Sequence, residues 1–146
     1  MSLDKNKAVT RRFWEEVFNR RDLDVIPNLV TKDYVFHGSA GKEVRGREGL
    51  KQFLSMFFTA FPDLRFDVED IFAEGDKVVS RVTGRGTHKG ALMGIPPTGK
   101  QIATTIICIN RFVGEKIAED WELIDLFGMM VQLGVTPMRS PNQALT

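Results

Sequence analysis

The sequence predicts an α+β domain: a cone-shaped, curved antiparallel sheet packed on N-terminal helices and enclosing a pocket. Three features predict it. Two helical apolar patterns occupy the first sixty residues. The rest of the chain switches to an apolar period of two, broken by Gly-containing turns. One long Gly- and Pro-rich segment, 89–100, interrupts the strands where a pocket rim or lid belongs. Helices gathered on one face of a curved sheet leave a concavity that the sheet cannot fill by itself, and such concavities bind small molecules.

Within residues 4–19, Ala8, Val9, Phe13, Val17 and Phe18 recur at helical spacing with Trp14 beside them, and Asp4 is placed to cap the helix. A short second helix is expected over 24–29, with Pro27 near its start. Residues 34–37 read as a strand and 41–46 as a loop. Leu50, Phe53, Leu54, Phe57 and Phe58 define a helix over 47–61, which Pro62 ends by disfavouring helical backbone at Phe61. Strands follow at 64–73, 77–88, 101–113 and 116–125, with turns at Glu74-Gly75-Asp76 and Gly114-Glu115. A last short helix is expected over 126–133. The whole chain, 1–146, reads as one domain with its core at about 6–137 and a loose tail at 140–146.

Composition narrows the function classes. Net charge is +1 with no basic patch, which gives no electrostatic case for nucleic acid. No run approaches the ~20 apolar residues of a membrane span, and the N-terminus lacks the apolar stretch of a signal peptide, so a cytoplasmic location is expected. The single cysteine, Cys108, reads as a small buried hydrophobe. No CxxC, HxH or HxxxH spacing suggests a metal, and no phosphate-binding glycine fingerprint or GxSxG elbow occurs, so neither metal nor cofactor is expected. Eleven phenylalanines can line a greasy cavity, and a small hydrophobic molecule is the expected partner.

The strand at 116–125 carries the most chemical information. Asp120 and Glu122 make one face acidic, so that face is expected outward, with Trp121, Leu123 and Asp125 pointing in. An inward carboxyl beside an aromatic resists ionisation, its pKa rises, and it becomes a candidate acid or base. Local sequence supports equally well that Asp125 caps the helix starting at Leu126. A three-residue turn at Gly114–Lys116 would pair Arg111 with Glu119 and Thr105 with Asp125; a two-residue turn would reverse that register, and both remain open. His37 and His88, each at a strand end, are the only histidines and can move protons near neutral pH. Arg81, mid-strand among valines, either anchors an acid inside or lies on the solvent face.

Several motifs occur in order: Phe61-Pro62-Asp63-Leu64, the run from Ala73 to Val78, Gly86-Thr87-His88-Lys89-Gly90, Met93-Gly94-Ile95-Pro96-Pro97-Thr98-Gly99-Lys100, the run from Lys116 to Trp121, Asp125, and Gln132-Leu133-Gly134. This series resembles the SnoaL-like polyketide cyclases, also called ester cyclases, of the nuclear transport factor 2-like superfamily, over roughly residues 6–137. The resemblance implies a cone-shaped fold, a homodimer formed through the sheet, and an intramolecular aldol cyclisation without metal or cofactor. It implies Asp125 as the acid/base, with His37 and His88 beside it as catalytic candidates. Phe57, Phe66, Trp121, Leu123 and Arg81 are the expected substrate-binding residues. Alternatives on the same fold are a ketosteroid isomerase-like enzyme, an epoxide hydrolase with an Asp–Arg–Asp relay through Arg81, a non-catalytic binding module, and a dimerisation scaffold.

Overall fold

The first apolar run folds as a helix in two parts, α1 (Leu3–Arg12) and a π-helical continuation over Phe13–Asn19. The computed structural model describes residues 2–135, so the tail expected at 140–146 lies outside the described residues. Ser2, not Asp4, caps α1, its side chain accepting the Lys5 amide N–H at 3.2 Å. In the widened turn the Arg20 amide reaches back five residues to the Glu15 carbonyl, and Phe13, Trp14, Val17 and Phe18 are all buried. A 3₁₀ turn (Leu23–Val25) and α2 (Ile26–Leu29), with Pro27 in its first turn, lead into β1 (Val30–His37). A short β2 (Glu43–Arg45) pairs back on β1 inside the segment expected to be loop. Then come α3 (Gly46–Ala60), β3 (Arg65–Glu74), β4 (Lys77–Thr87), β5 (Gln101–Val113), β6 (Lys116–Ile124) and α4 (Leu126–Leu133). Phe61, before Pro62, has already left the helical region, as the proline requires.

The α+β class and the curved sheet are as expected. The strand order is β2-β1-β6-β5-β4-β3. One pairing departs from a pure antiparallel meander: β1 lies parallel to β6. On β4, Gly84 and Gly86 leave room on the inner face, where an added Cβ would press on the Phe66 ring (3.3 Å) and on Phe61 (3.1 Å). No helix among the described residues is long and apolar enough to cross a membrane.

The register of β6 decides everything about the site. The hairpin turn is the two-residue Gly114-Glu115, pairing Val113 with Lys116. Continued straight, that register would set Trp121 opposite Cys108 and turn Trp121 and Leu123 inward with it. A β-bulge intervenes: Phe112 pairs with Ile117 and Arg111 with Glu119, so Ala118 is the extra residue. Ile117 and Ala118 are both buried, and beyond them the faces are exchanged. Glu122 now opposes Cys108, and Asp120 opposes Asn110. The expectation of an inward Trp121–Leu123–Asp125 face is therefore corrected. Trp121 and Leu123 are 37% and 69% exposed, whereas Asp120 and Glu122 are 1% and 7% exposed.

Candidate active site

Two cross-strand rows build the polar floor of the inner face. One is Val78, Asn110 and Asp120; the next is Ser80, Cys108 and Glu122. The helical layer ties into both. Thr10 donates its hydroxyl to Asn110 Oδ1 at 2.8 Å, and the Trp14 indole N–H donates to Ser80 Oγ at 3.1 Å. Asn110 passes the chain on by donating its amide to Asp120, whose other oxygen accepts the Tyr34 hydroxyl from β1. Two of these donors, the Asn110 amide and the Tyr34 hydroxyl, converge on Asp120.

Glu122 faces a different environment. It lines a narrow cavity of about 40 Å³, walled by Phe18, Phe57, Phe66, Ile106, Ile124, Met129 and further apolar side chains. Thr104 is the other polar lining residue, and its hydroxyl is engaged with the Asp125 carbonyl at 3.3 Å. Glu122 is thus the one ionisable group on this wall among the described residues. Burial pushes its pKa up to about 8, and the neighbouring Asp120 charge adds to the rise. Burial also raises Asp120, to about 7, but the Tyr34 and Asn110 hydrogen bonds favour its anion and hold it lower. The pair therefore titrates as a coupled unit in which Asp120 ionises first and Glu122 keeps its proton to higher pH. Burial and the same acids push the Tyr34 phenol and the Cys108 thiol up, so both stay neutral.

The other expected site residues divide clearly. Phe57 and Phe66 line the cavity as expected. Asp125 does not: it is exposed at the end of β6 and caps α4, accepting the Gly128 amide N–H at 2.9 Å. The cap reading of Asp125 is the one the geometry takes. His37 lies on the outer face opposite Trp121, stacked on it at 5.5 Å, and its Nε2–H donates to Glu119 at 2.6 Å. Glu119 also accepts Arg111 Nε–H at 3.0 Å, and these two partners hold its carboxyl below the usual range. The Arg111–Glu119 cross-strand pair is thus present, and His37 shares its carboxylate on the outer face. Arg81, also outward, pairs with Asp70 at 2.7 Å, so it neither binds inside nor forms a relay there.

His88 is fully buried but anchors a loop instead of lining the Glu122 cavity. Its backbone pairs with Gly99 and Lys100, and its Nδ1 accepts the Thr98 amide N–H at 3.2 Å. The histidine therefore ties both ends of the 89–100 loop together. His88 lies eight residues from Ser80 along β4, so no histidine converges with Glu122 on one small reacting group. Sequence reasoning missed Glu122, Asp120, Tyr34 and Asn110. The available signal was the apolar doublet Ile117-Ala118, which breaks the alternation just after a turn and so marks a bulge.

A family model described as SnoaL-like polyketide cyclase matches residues 8–133. Two curated relatives are the aklanonic acid methyl ester cyclases DauD of Streptomyces sp. (strain C5) and DnrD of Streptomyces peucetius. Each is 28% identical over 123 residues, covering 82% of this chain and 76% and 84% of the relatives, respectively. Among solved structures, AclR from Streptomyces galilaeus is 31% identical with a TM-score of 0.81, covering 97% of this chain and 88% of its own. IdmH from Streptomyces antibioticus is 32% identical with a TM-score of 0.79, covering 89% of this chain and 99% of its own.

Proposed function

The chain belongs to the SnoaL-like polyketide cyclase family, and from that premise we propose that it is a cyclase working by acid/base chemistry on a small hydrophobic carbonyl compound, with Glu122 as the proton-transfer group. The observation that carries this reading is the placement of one carboxyl, with its raised pKa, on the wall of an otherwise apolar cavity. The reaction is an intramolecular aldol closure that needs no cofactor. The Glu122 carboxylate takes a proton from a carbon flanked by carbonyls. The resulting enolate carbon attacks a second carbonyl of the same molecule, forming the ring C–C bond. Protonated Glu122 then returns the proton to the new alkoxide, so the carboxylate is regenerated and no atom is lost. A pKa near 8 suits both halves, because the base is stronger than an ordinary carboxylate and its conjugate acid still donates. Phe57 and Phe66 would hold a flat substrate and keep water from the enolate.

By analogy with the aklanonic acid methyl ester cyclases, aromatic polyketide esters are the substrates to test first. Glu122→Gln is expected to lower kcat by about 10²–10⁴-fold, the usual worth of a positioned acid/base, while substrate binding persists. Retained turnover in Glu122→Gln would overturn this assignment, and binding without turnover in the wild type would favour a binding module. Asp125 is not proposed for this role, because its carboxylate is committed to the α4 cap.

We also propose that the chain pairs with a second copy through the outer face of the sheet. Trp121 and Leu123 on β6, Ile107 on β5 and Phe72 on β3 are exposed there on one face of the sheet, beside the Arg111–Glu119 and Arg81–Asp70 pairs. Sedimentation should give a dimer for the wild type and a monomer for Leu123→Glu; a wild-type monomer at micromolar concentration would end this idea.

A further inference from the structure

Next to the inner cavity, past Ile124, lies a second compartment that the chemistry above leaves unused. Phe53, Phe57 and Ile124 line both. Its walls are otherwise Phe36, Met56, Met93, Leu126 and the turn 38–42, around about 460 Å³. One charged side chain lines it, that of Lys42, which forms no ion pair among the described residues.

Two loops frame this compartment, and each is built on the same strained turn. In the first, Ala40 and Gly41 both have positive φ (60° and 75°), and the Lys42 amide closes on the Ser39 carbonyl at 3.3 Å. In the second, Met93 and Gly94 have φ of 47° and 78°, and Leu92 and Ile95 exchange backbone hydrogen bonds of 3.0 and 2.7 Å. Both are two-residue turns of the kind that demand positive φ at successive positions. A non-glycine residue pays for that conformation by roughly 1–2 kcal/mol, and such strain gathers at ligand clamps. The second turn buries Leu92 and leaves the flexible Met93 side chain 54% exposed at the compartment's edge. The first turn is fixed to the reaction chamber: Ser39 Oγ accepts the Ile124 amide N–H at 2.8 Å, two residues beyond Glu122.

We propose that this compartment is a second binding subsite, which holds the distal part of an elongated apolar ligand whose reacting end lies beside Glu122, and that Lys42 meets an anionic group at the ligand's far end. The occupant follows from continuity and charge. Three apolar side chains line both compartments, so a ligand that reaches from one to the other runs along them, and the outer compartment offers a single cation at its rim. This rests on Glu122 marking the reaction chamber; the subsite itself is measurable without turnover.

Fluorescence titration with two probes tests it. 1-Anilinonaphthalene-8-sulfonate carries fused rings and an anion; N-phenyl-1-naphthylamine carries the rings alone. Lys42→Glu should weaken the sulfonate probe about threefold to tenfold, as expected for reversing one partly exposed charge, and leave the neutral probe unchanged. Met93→Gly, which relieves the turn and removes the side chain, should weaken both probes about threefold or more. Lys5→Glu, an exposed charge reversal on α1 away from both compartments, should alter neither. Equal response of the two probes to Lys42→Glu, or a loss of binding in Lys5→Glu alone, would overturn the subsite. Glu122→Gln separates the two readings. If it turns over normally while Lys42→Glu still discriminates the probes, the catalytic assignment fails and the subsite stands. If it is inactive while the probes ignore Lys42 and Met93, the reverse holds.

Discussion

Glu122 and Asp125 lie three residues apart, carry the same functional group, and end in opposite circumstances. Glu122 is on the inner face of β6 among phenylalanines, with no hydrogen-bond donor aimed at it among the described residues. Asp125 is one residue past the strand, exposed, with its carboxylate engaged by the first turn of α4. The α4 segment is built around that engagement, because a Cβ on Gly128 would collide with the Asp125 carboxylate. The difference comes from backbone geometry rather than residue type. A single inserted residue, Ala118, exchanges the faces of β6 and so selects which acid is desolvated. Desolvation then makes the chemistry: an exposed carboxylate near pH 7 is a weak base, whereas one pushed up to about 8 is matched to moving a proton there.

Turnover should break the symmetry between the two acids most sharply. With an aromatic polyketide ester as substrate, Glu122→Gln should lose about 10²–10⁴-fold in kcat. Asp125→Asn should stay within about threefold of wild type, because a short polar side chain still caps a helix. Equal losses in the two variants would mean that α4 positions the reacting group, and the distinction drawn from the bulge would fall.

Stability against pH sharpens the comparison next. Asp120 and Glu122 ionise near 7 and 8 in the folded chain, against ordinary values of 3.8 and 4.5. Folded-state values above unfolded ones mean that the native chain holds protons the unfolded chain has released. Their contribution is fully present below about pH 4 and is lost as pH rises toward 8, by at most about 1.4 kcal/mol per pH unit per group. At pH 7 Asp120 is about half ionised while Glu122 is still largely protonated, so the larger part of the slope between pH 7 and 8 belongs to Glu122. Denaturant titrations should therefore show wild-type stability falling across that unit and Glu122→Gln falling less steeply. A wild type with no slope there would place the Glu122 pKa elsewhere.

The contrast also explains how much was legible beforehand. Helix α4 was readable to the residue, and β5 likewise, because each is a continuous pattern of one period bounded by turn residues. Phe57 and Phe66, expected on the resemblance to bind substrate, do line the cavity. The faces of β6 were not. Acidity was taken to mean solvent, which holds for most strands and fails where two acids are buried by design of the register. His37 was placed inside, and Arg81 was left open between the inside and the solvent face, because each has a carboxylate partner, Glu119 or Asp70, that only three-dimensional pairing reveals. The parallel insertion of β1 beside β6 was equally hidden, since the contact joins residues more than eighty positions apart. That pairing supplies Tyr34, and with it the hydrogen bond that separates Asp120 from Glu122.

A smaller effect is expected where Asp125 does its structural work. Asp125→Ala removes the acceptor for the Gly128 amide and should cost about 1 kcal/mol, within the 0.5–2 kcal/mol typical of lost N-caps. Asp125→Asn should recover most of it. Thermal melts of the three proteins measure this directly, and a loss in Asn as large as in Ala would point to the charge rather than the cap.

The smallest effect belongs to His37, the residue that faces away from the cavity at the same level of β6. Its ring sits between Glu119 at 2.6 Å and Trp121 at 5.5 Å, and its side chain is 33% exposed. A partly exposed pair of this kind contributes roughly 0–1 kcal/mol and is weakened by salt. His37→Ala should therefore shift the denaturation midpoint only slightly, less at 1 M than at 0.05 M sodium chloride, and leave kcat within about twofold. Arg111 remains on Glu119 in that variant, so the acid does not lose all compensation. A drop in kcat approaching that of Glu122→Gln would require His37 to act from the outer face of the sheet. It would then follow that the reacting group lies across the sheet from the apolar cavity, and that the inward turn of Glu122 is not what makes the site.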